Sequence, residues 1–289
     1  MILYFCRNII YPASFVAITL LEPAASSLAS TPTAKFVCPK PVPYPPDSIV
    51  RTTLKIGGDS KPLAAEYQRF IDAQTRNVQQ DPANLCRYKA ENFVQSRKGR
   101  PVAVLIGDSI TESWLSGSPE LRKLGFVSRG ISSQTTFELR ARFNQDVLAL
   151  HPEVVHVLIG TNNVAGIGRP FDENAFKNDL LTMIHMAKSQ GIAVVIGSIL
   201  PVHQYPWRPN VEPSSIIREL NIWMSRVSRS ENIGFVNYYD ALASSTGGMT
   251  PGMTNDGVHP NLAGYEIMSP LLVAAIHNAR RHKAANSDS

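Results

Sequence analysis

The spacing of apolar residues changes character near position 100. Beyond it, short apolar runs at 102–106, 126–128, 154–159, 193–196 and 233–236 alternate with longer segments whose apolar residues recur every three or four positions. Short runs buried on both faces, separated by amphipathic stretches, are how a parallel sheet covered by helices reads in sequence. One predicted helix opens with Thr135 and Glu138 at capping-box spacing and carries Leu139, Phe143, Val147 and Leu150 on one face. A second runs from Asp172 as N-cap, through Phe176, Leu180, Ile184 and Ala187, to a stop at Gly191. A third spans 213–229, and the last begins beside Asn261, with Pro270 expected to kink or restart it. Strand and helix in alternation predict a doubly wound α/β domain over 100–282, followed by a polar tail at 283–289 expected to be disordered.

Before position 100 the pattern is different. CPKPVPYPP, starting at Cys38, is too proline-rich for a helix or a central strand and reads as an extended tether. Tyr67, Phe70, Ile71, Gln74 and Val78 then fall close to a 3.6-residue period. Asp81-Pro82 ends that segment, and Leu85, Tyr88 and Phe93 suggest a second short helix. Residues 30–99 are therefore expected to form a tether and helical extension packed on the main domain. The first 29 residues differ again, with Arg7 as the only base, an apolar run at 9–21 and the small residues AASSLAS. This reads as a secretory signal peptide cleaved near Leu28 and Ala29, because the run is shorter than the roughly 20 residues of a membrane span and Pro12 interrupts it. The expected location is secreted or periplasmic, with no stable membrane insertion after cleavage.

Composition narrows the function classes. A 289-residue chain that is 44% hydrophobic can bury a sizeable core. Its net charge of +5 is mild and scattered, and the one dense basic cluster, Arg280 to Lys283, suits a solvated helix end. Without a basic stripe interleaved with aromatics, nucleic acid is not an expected partner. No CxxC or HExxH pattern occurs, so neither a metal nor another cofactor is expected. Cys6 would leave with the signal peptide, leaving Cys38 and Cys86 as an even pair that an oxidising compartment could bridge.

In an open α/β sheet, ligands bind beyond the carboxyl ends of the strands. The residues standing there are Gly107-Asp108-Ser109, Arg129-Gly130, Gly160-Thr161-Asn162-Asn163 and the loop 201–210, with Asn255-Asp256-Gly257-Val258-His259-Pro260 ahead of the last helix. A serine hydroxyl needs a base to take its proton, and a histidine base works best when a carboxylate fixes its tautomer. Asp256 and His259, three apart on a glycine-containing loop, can supply that pair for Ser109. The N–H groups of Ser109 and Gly130 and the side-chain amide of Asn162 are the candidate oxyanion donors. Each also has a duller explanation: Asp108-Ser109 as a helix cap, Gly130 as a tight turn, Asn162 as a turn residue and His259 as a surface loop histidine.

Taken in order, GDSIT, Gly130 within RGIS, GTNN and DGVHPNLAGY resemble the four signature blocks of the SGNH (GDSL) hydrolase superfamily. That resemblance covers about 101–280. It implies a flavodoxin-like three-layer α/β/α sandwich around a mostly parallel five-stranded sheet. It makes Ser109 the nucleophile, Gly130 and Asn162 oxyanion donors, His259 the base and Asp256 its orienting acid. Asn163 departs from the aspartate many members carry there, a change that touches local hydrogen bonding and no triad member. The expected activity is that of an exported, cofactor-free serine esterase acting on a small-molecule or glycan ester with a short acyl group, such as an O-acetylated carbohydrate. The alternatives are a lysophospholipase- or thioesterase-type acylhydrolase and a noncatalytic glycan-binding module, whose mark would be a missing triad member.

Trp114, Tyr205, Trp207 and Arg208, with His203, Met249 and Met253, either line an acyl or sugar subsite or cover the edge of the core. His151, His156, His185 and His277 stand alone and are expected to be ordinary helix, strand or loop histidines.

Overall fold

In a computed structural model, the residues described are 37–40, 42–55 and 65–287. The expected signal peptide, its cleavage point and Cys6 lie outside them. From Cys38 onward the described residues form one compact unit. Its helices are α1 (Asp47–Thr53), α2 (Ala65–Val78), α3 (Lys89–Lys98), α4 (Ser109–Gly117), α5 (Thr136–Asp146), α6 (Thr161–Val164), α7 (Glu173–Ser189), α8 (Pro213–Ser230), α9 (Tyr238–Leu242) and α10 (Leu262–Ser287). The strands are β1 (Ala103–Gly107), β2 (Phe126–Gly130), β3 (Val154–Leu158), β4 (Ala193–Gly197) and β5 (Gly234–Val236). They form one sheet in the order β2-β1-β3-β4-β5, and every pairing is parallel.

Alternation along each strand explains why the runs are apolar throughout. Val104, Ile106, Val155, Val157, Val194 and Ile196 pack under α5, α7 and α8. Their neighbours Ala103, Leu105, Val154, Leu158 and Val195 pack under α1, α4, α9 and α10. With a helical layer on each side, neither strand face has room for polar residues. At the edge strand β2, Ser128 and Arg129 are polar, Arg129 being tied to Asn92; within the central strands β1, β3 and β4, His156 is the exception. It is fully buried, Tyr238 Oη lies 3.1 Å from its Nε2, and burial drives its pKa down to about 3, so it is a neutral histidine of the core.

β1 passes to β2 on one side, and the chain returns to β3 on the other. The loops after β1 and β3 therefore diverge and open a crevice at the carboxyl edge, the switch point of this strand order.

Two expectations need correcting. α10 does not restart at Pro270 but carries it inside one helix that continues to Ser287, so residues 283–287 are helical rather than a disordered tail. The proline-rich stretch also gives way at Pro46 to α1, a helix the tether reading did not foresee; prolines cease where the helix begins, as a ring at a helix N-terminus breaks no intrahelical bond.

The extension is fixed to the sheet domain by polar contacts more than by a core of its own. Arg51 Nη1 donates to the carbonyls of Ser116 (3.1 Å) and Gly117 (2.8 Å), clamping α1 to the end of α4. Asn92 on α3 bridges Asp146 Oδ1 and Arg129 Nε, each at 2.6 Å. A disulfide joins Cys38 to Cys86 with their Cα atoms 5.5 Å apart, and the buried Asp81 carboxylate accepts the backbone N–H groups of Leu85 (2.8 Å) and Cys86 (2.7 Å).

Candidate active site

Where β1 meets α4, two glycines decide how closely helix and sheet approach. Gly107 and Gly130 are register partners at the ends of β1 and β2. A Cβ on Gly130 would lie 2.0 Å from Glu112 N, and one on Gly107 2.2 Å from Thr111 Oγ1, so α4 can start against the sheet only because both lack side chains. Asp108 caps the helix, accepting Ile110 N–H at 3.0 Å. Ser109 is the first helical residue, so its own N–H has no intrahelical acceptor and stands at the positive end of the helix dipole. Burial pushes the Asp108 carboxyl up to about 6, against the hydrogen bond from Ile110 that lowers it.

The far loop arrives preset. Gly257, at φ +80°, turns the chain so that Asp256 Oδ1 accepts the N–H groups of Val258 (2.9 Å) and His259 (2.8 Å). Its other oxygen lies 2.7 Å from His259 Nδ1. His259 Nε2 then lies 2.9 Å from Ser109 Oγ, across 150 residues of sequence. With Nδ1 bound to a carboxylate, Nε2 presents its lone pair to the serine in the neutral tautomer. Burial alone would raise the Asp256 pKa, but its hydrogen bond to His259 and that residue's charge outweigh burial and hold it down at about 2. Burial likewise depresses His259, and the hydrogen bond and charge of Asp256, with the charge of Asp108, reverse this to a net upward shift. An ionised carboxylate, an imidazole and a hydroxyl in line can move one proton from serine to histidine.

These groups face a cavity of about 730 Å³. Asn162, at the start of α6, lines it; one amide hydrogen is held by Gln134 O at 3.0 Å, leaving the second for a ligand. Gly130 does not serve as expected. It closes β2, its N–H faces Ser128 Oγ at 3.3 Å, and it does not line the cavity. Three residues on, Ser133 does line the cavity, sits in the left-handed region at φ +66°, and has an N–H with no acceptor among the described residues. Sequence reasoning missed it because the glycine drew attention and a serine does not announce a positive φ. Buried Arg142 ties the two sides together, donating to Gly107 O at 3.0 Å and to Gln134 Oε1 at 2.6 Å.

Of the candidate subsite residues, only Trp207 lines the cavity, its ring centroid 6.2 Å from that of His259. Trp114 is instead a core residue, packed edge-on against His156 and Tyr238 with its Nε1 on Ser269 Oγ at 2.9 Å. Tyr205 is also buried and donates to Thr161 O at 2.9 Å, bracing the loop that carries Asn162. Arg208 donates to Gly166 O at 3.2 Å, away from the cavity. The remaining wall comes from the extension. Tyr67, Phe70, Ile71, Gln74 and Val78, the face read as a packing stripe of α2, all line the cavity.

Comparison with known proteins gives a consistent picture. Residues 105–267 match the model of the GDSL-like lipase/acylhydrolase family. A crystal structure of a GDSL-like lipase from Bacteroides thetaiotaomicron is 35% identical with a TM-score of 0.64, covering 68% of this chain and 98% of that one. A protein assigned as an acylhydrolase, from Bacteroides fragilis, is 31% identical with a TM-score of 0.65 over the same shares. Among curated sequences, the uncharacterized lipoprotein YqeF of Bacillus subtilis is 30% identical over 86 residues, which are 29% of this chain and 35% of that protein. This chain thus spans about a third of that relative's length.

Proposed function

The chain belongs to the GDSL-like lipase/acylhydrolase family, and from that premise we propose that it is an exported serine esterase that cleaves carboxylic esters through an acyl-enzyme. Ser109 Oγ attacks the carbonyl carbon while His259 Nε2 takes its proton. The N–H of Ser109, the N–H of Ser133 and the free amide hydrogen of Asn162 receive the developing oxyanion, aided by the dipole of α4. His259 then hands its proton to the departing alcohol, and water, activated by the same imidazole, releases the acid. Asp256 stays ionised throughout. The observation that carries the reading is the unbroken relay of 2.9 Å from Ser109 to His259 and 2.7 Å from His259 to Asp256.

Export is supported by the signal-like first 29 residues, by a disulfide that suits an oxidising compartment and by likeness to a lipoprotein. Among the described residues no helix is long and apolar enough to cross a membrane. For the substrate, a short acyl group on a carbohydrate is one reading. The apolar wall of α2 favours a second, an acylhydrolase that accepts a longer chain. The experiment on the reaction itself is labelling with a fluorophosphonate. Stoichiometric modification of the wild type at Ser109, absent in Ser109→Ala, is expected; a wild type that stays unlabelled overturns the esterase reading in favour of a binding module.

A further inference from the structure

α2 has an unusual division of labour. Phe70 is its anchor, 3% exposed and edge-on to Tyr44 with ring centroids 5.2 Å apart. Ile71 and Val78 are 36% and 42% exposed, and both line the cavity that holds Ser109 and His259. They do so together with Tyr67, one turn before Ile71. Large aliphatic side chains left open to water on one helical face, beside a reactive pair, are stabilised only when something apolar covers them. The polar residue in the middle of that face is already engaged: Gln74 Nε2 donates to Glu112 Oε1 at 3.1 Å, and Glu112 in turn accepts the N–H of Ser132 at 3.1 Å. Burial raises the Glu112 pKa, and the Arg87 charge works against that rise. Thr75, which also lines the cavity, turns its hydroxyl back onto the helix and donates to Ile71 O at 3.0 Å; with both engaged, what the helix offers the cleft is mainly apolar. Trp207 and Ile167 add apolar surface to the same cavity from the loops after β4 and β3.

We propose that α2 of the extension is the substrate-selecting wall of the cleft, and that the protein prefers esters carrying an apolar chain of several carbons, seated on Tyr67, Ile71 and Val78. The proposal rests on the esterase reading and deepens it. α2 precedes the family segment at 105–267, so the catalytic groups come from the family's part of the chain and the selecting surface from the residues before it. Gln74, Glu112 and Ser132 form the strut between them, since Ser132 adjoins Ser133 at the oxyanion side. Substrate then touches two regions at once, with the carbonyl on the strand ends and the chain on the helix. The apolar chain can belong to the acyl group or to the alcohol, and each has its own arm in the test.

One arm uses para-nitrophenyl acetate, butyrate and octanoate; the other uses acetates of ethanol, butanol and octanol. For the wild type, kcat/KM is expected to climb by about fourfold for each methylene that reaches the wall, making butyrate about 15-fold better than acetate when both of its added methylenes do. Ile71→Asp, and the double variant Ile71→Asp with Val78→Asp, are expected to flatten that climb by tenfold or more in the arm whose chain lies on α2. Ile71→Trp, which narrows the cleft and keeps it apolar, is expected to move the optimum to a shorter chain. Arg69→Glu, on the outward side of the same helix, is expected to leave the ladder as it was. Ile71 and Val78 are exposed, so the variants keep their fold, which a melting curve checks. Wild-type turnover with ladders that neither the double variant nor Ile71→Trp moves overturns the wall and leaves the esterase standing. A wild type inert toward every ester overturns both, so the two failures are told apart.

Discussion

The sheet domain and the extension meet at one cleft but are built in opposite ways. Ser109, Asn162 and the loop after β2 hang from the ends of parallel strands whose pairings fix the backbone to a register, and the Asp256 loop is cinched by its own carboxylate. The extension has no strand among its described residues. It holds position through a disulfide, the buried Asp81 carboxylate, side-chain hydrogen bonds to α4 and α5 and the insertion of Val50 and Leu54 into the core beneath α4 and α10, with α2 resting on Phe70 and Gln74. Groups that must sit within a few tenths of an ångström of a reacting atom belong on rigid elements. A surface that has only to be apolar and near can be attached more loosely, and can be altered without disturbing the chemistry.

The comparison breaks most clearly at Asp256. If the sheet domain alone carries the reaction, Asp256→Asn should cut kcat by about 10⁴-fold, as expected when a histidine base loses its orienting carboxylate, while melting stays nearly unchanged because the pair is partly exposed. The pH profile sharpens the point. A histidine base acts when neutral, so if His259 is the base activity should rise with pH, and since its pKa is raised, the midpoint should lie above the ordinary histidine value of about 6.5. In the Asn variant the main cause of that upward shift is gone and burial remains, so the midpoint should move toward acid. A kcat loss under tenfold, or a midpoint that does not move, places the base elsewhere.

The extension is tested through its bridge. Cys38 and Cys86 are 48 residues apart, and opening a loop of that size loses about 4 kcal/mol on the chain-entropy account. Cys38→Ser with Cys86→Ser should therefore lower the melting temperature by roughly 10 °C. The same variant should keep its turnover of a small acetate ester, because Ser109, His259 and Asp256 all come from the other region. Loss of acetate turnover in a protein that still melts cooperatively would show the two regions to be one catalytic unit.

How far the chain could be read in advance follows the same division. The strand runs, the capping box at Thr135 and Glu138 and the Asp172 cap are local signals, and each appears in place. The residues of the proposed relay were legible because a serine had to stand just after the first strand and an acid–histidine pair just before the last helix. The extension was legible only as periodicity. Tyr67, Ile71 and Val78 have the spacing of a packing face, and nothing in spacing says whether the partner is a core or a cleft. Trp114 and Tyr205 stayed open between lining and core for a related reason: an aromatic residue near a site suits either, and what decides is that their N–H and O–H groups find buried partners at Ser269 and Thr161. Gly130 misled through its family block, since the extension of β2 to include it uses up its place in the sheet.

The smallest effects separate Gly130 from Ser133. Gly130→Ala would drive a methyl to 2.0 Å from Glu112 N, so it should cost about 3 kcal/mol or more of stability, read as a drop in melting temperature. Ser133→Gly should do the reverse. A serine at φ +66° is strained by about 1 kcal/mol relative to glycine, so the variant should gain roughly 0.5 to 1 kcal/mol in denaturant unfolding. It should also keep kcat within about twofold, because glycine offers the same N–H to the oxyanion. A tenfold loss of kcat in Ser133→Gly would move the contribution from the backbone to the hydroxyl. Loss of activity in Gly130→Ala molecules that melt like the wild type would return the oxyanion role to Gly130.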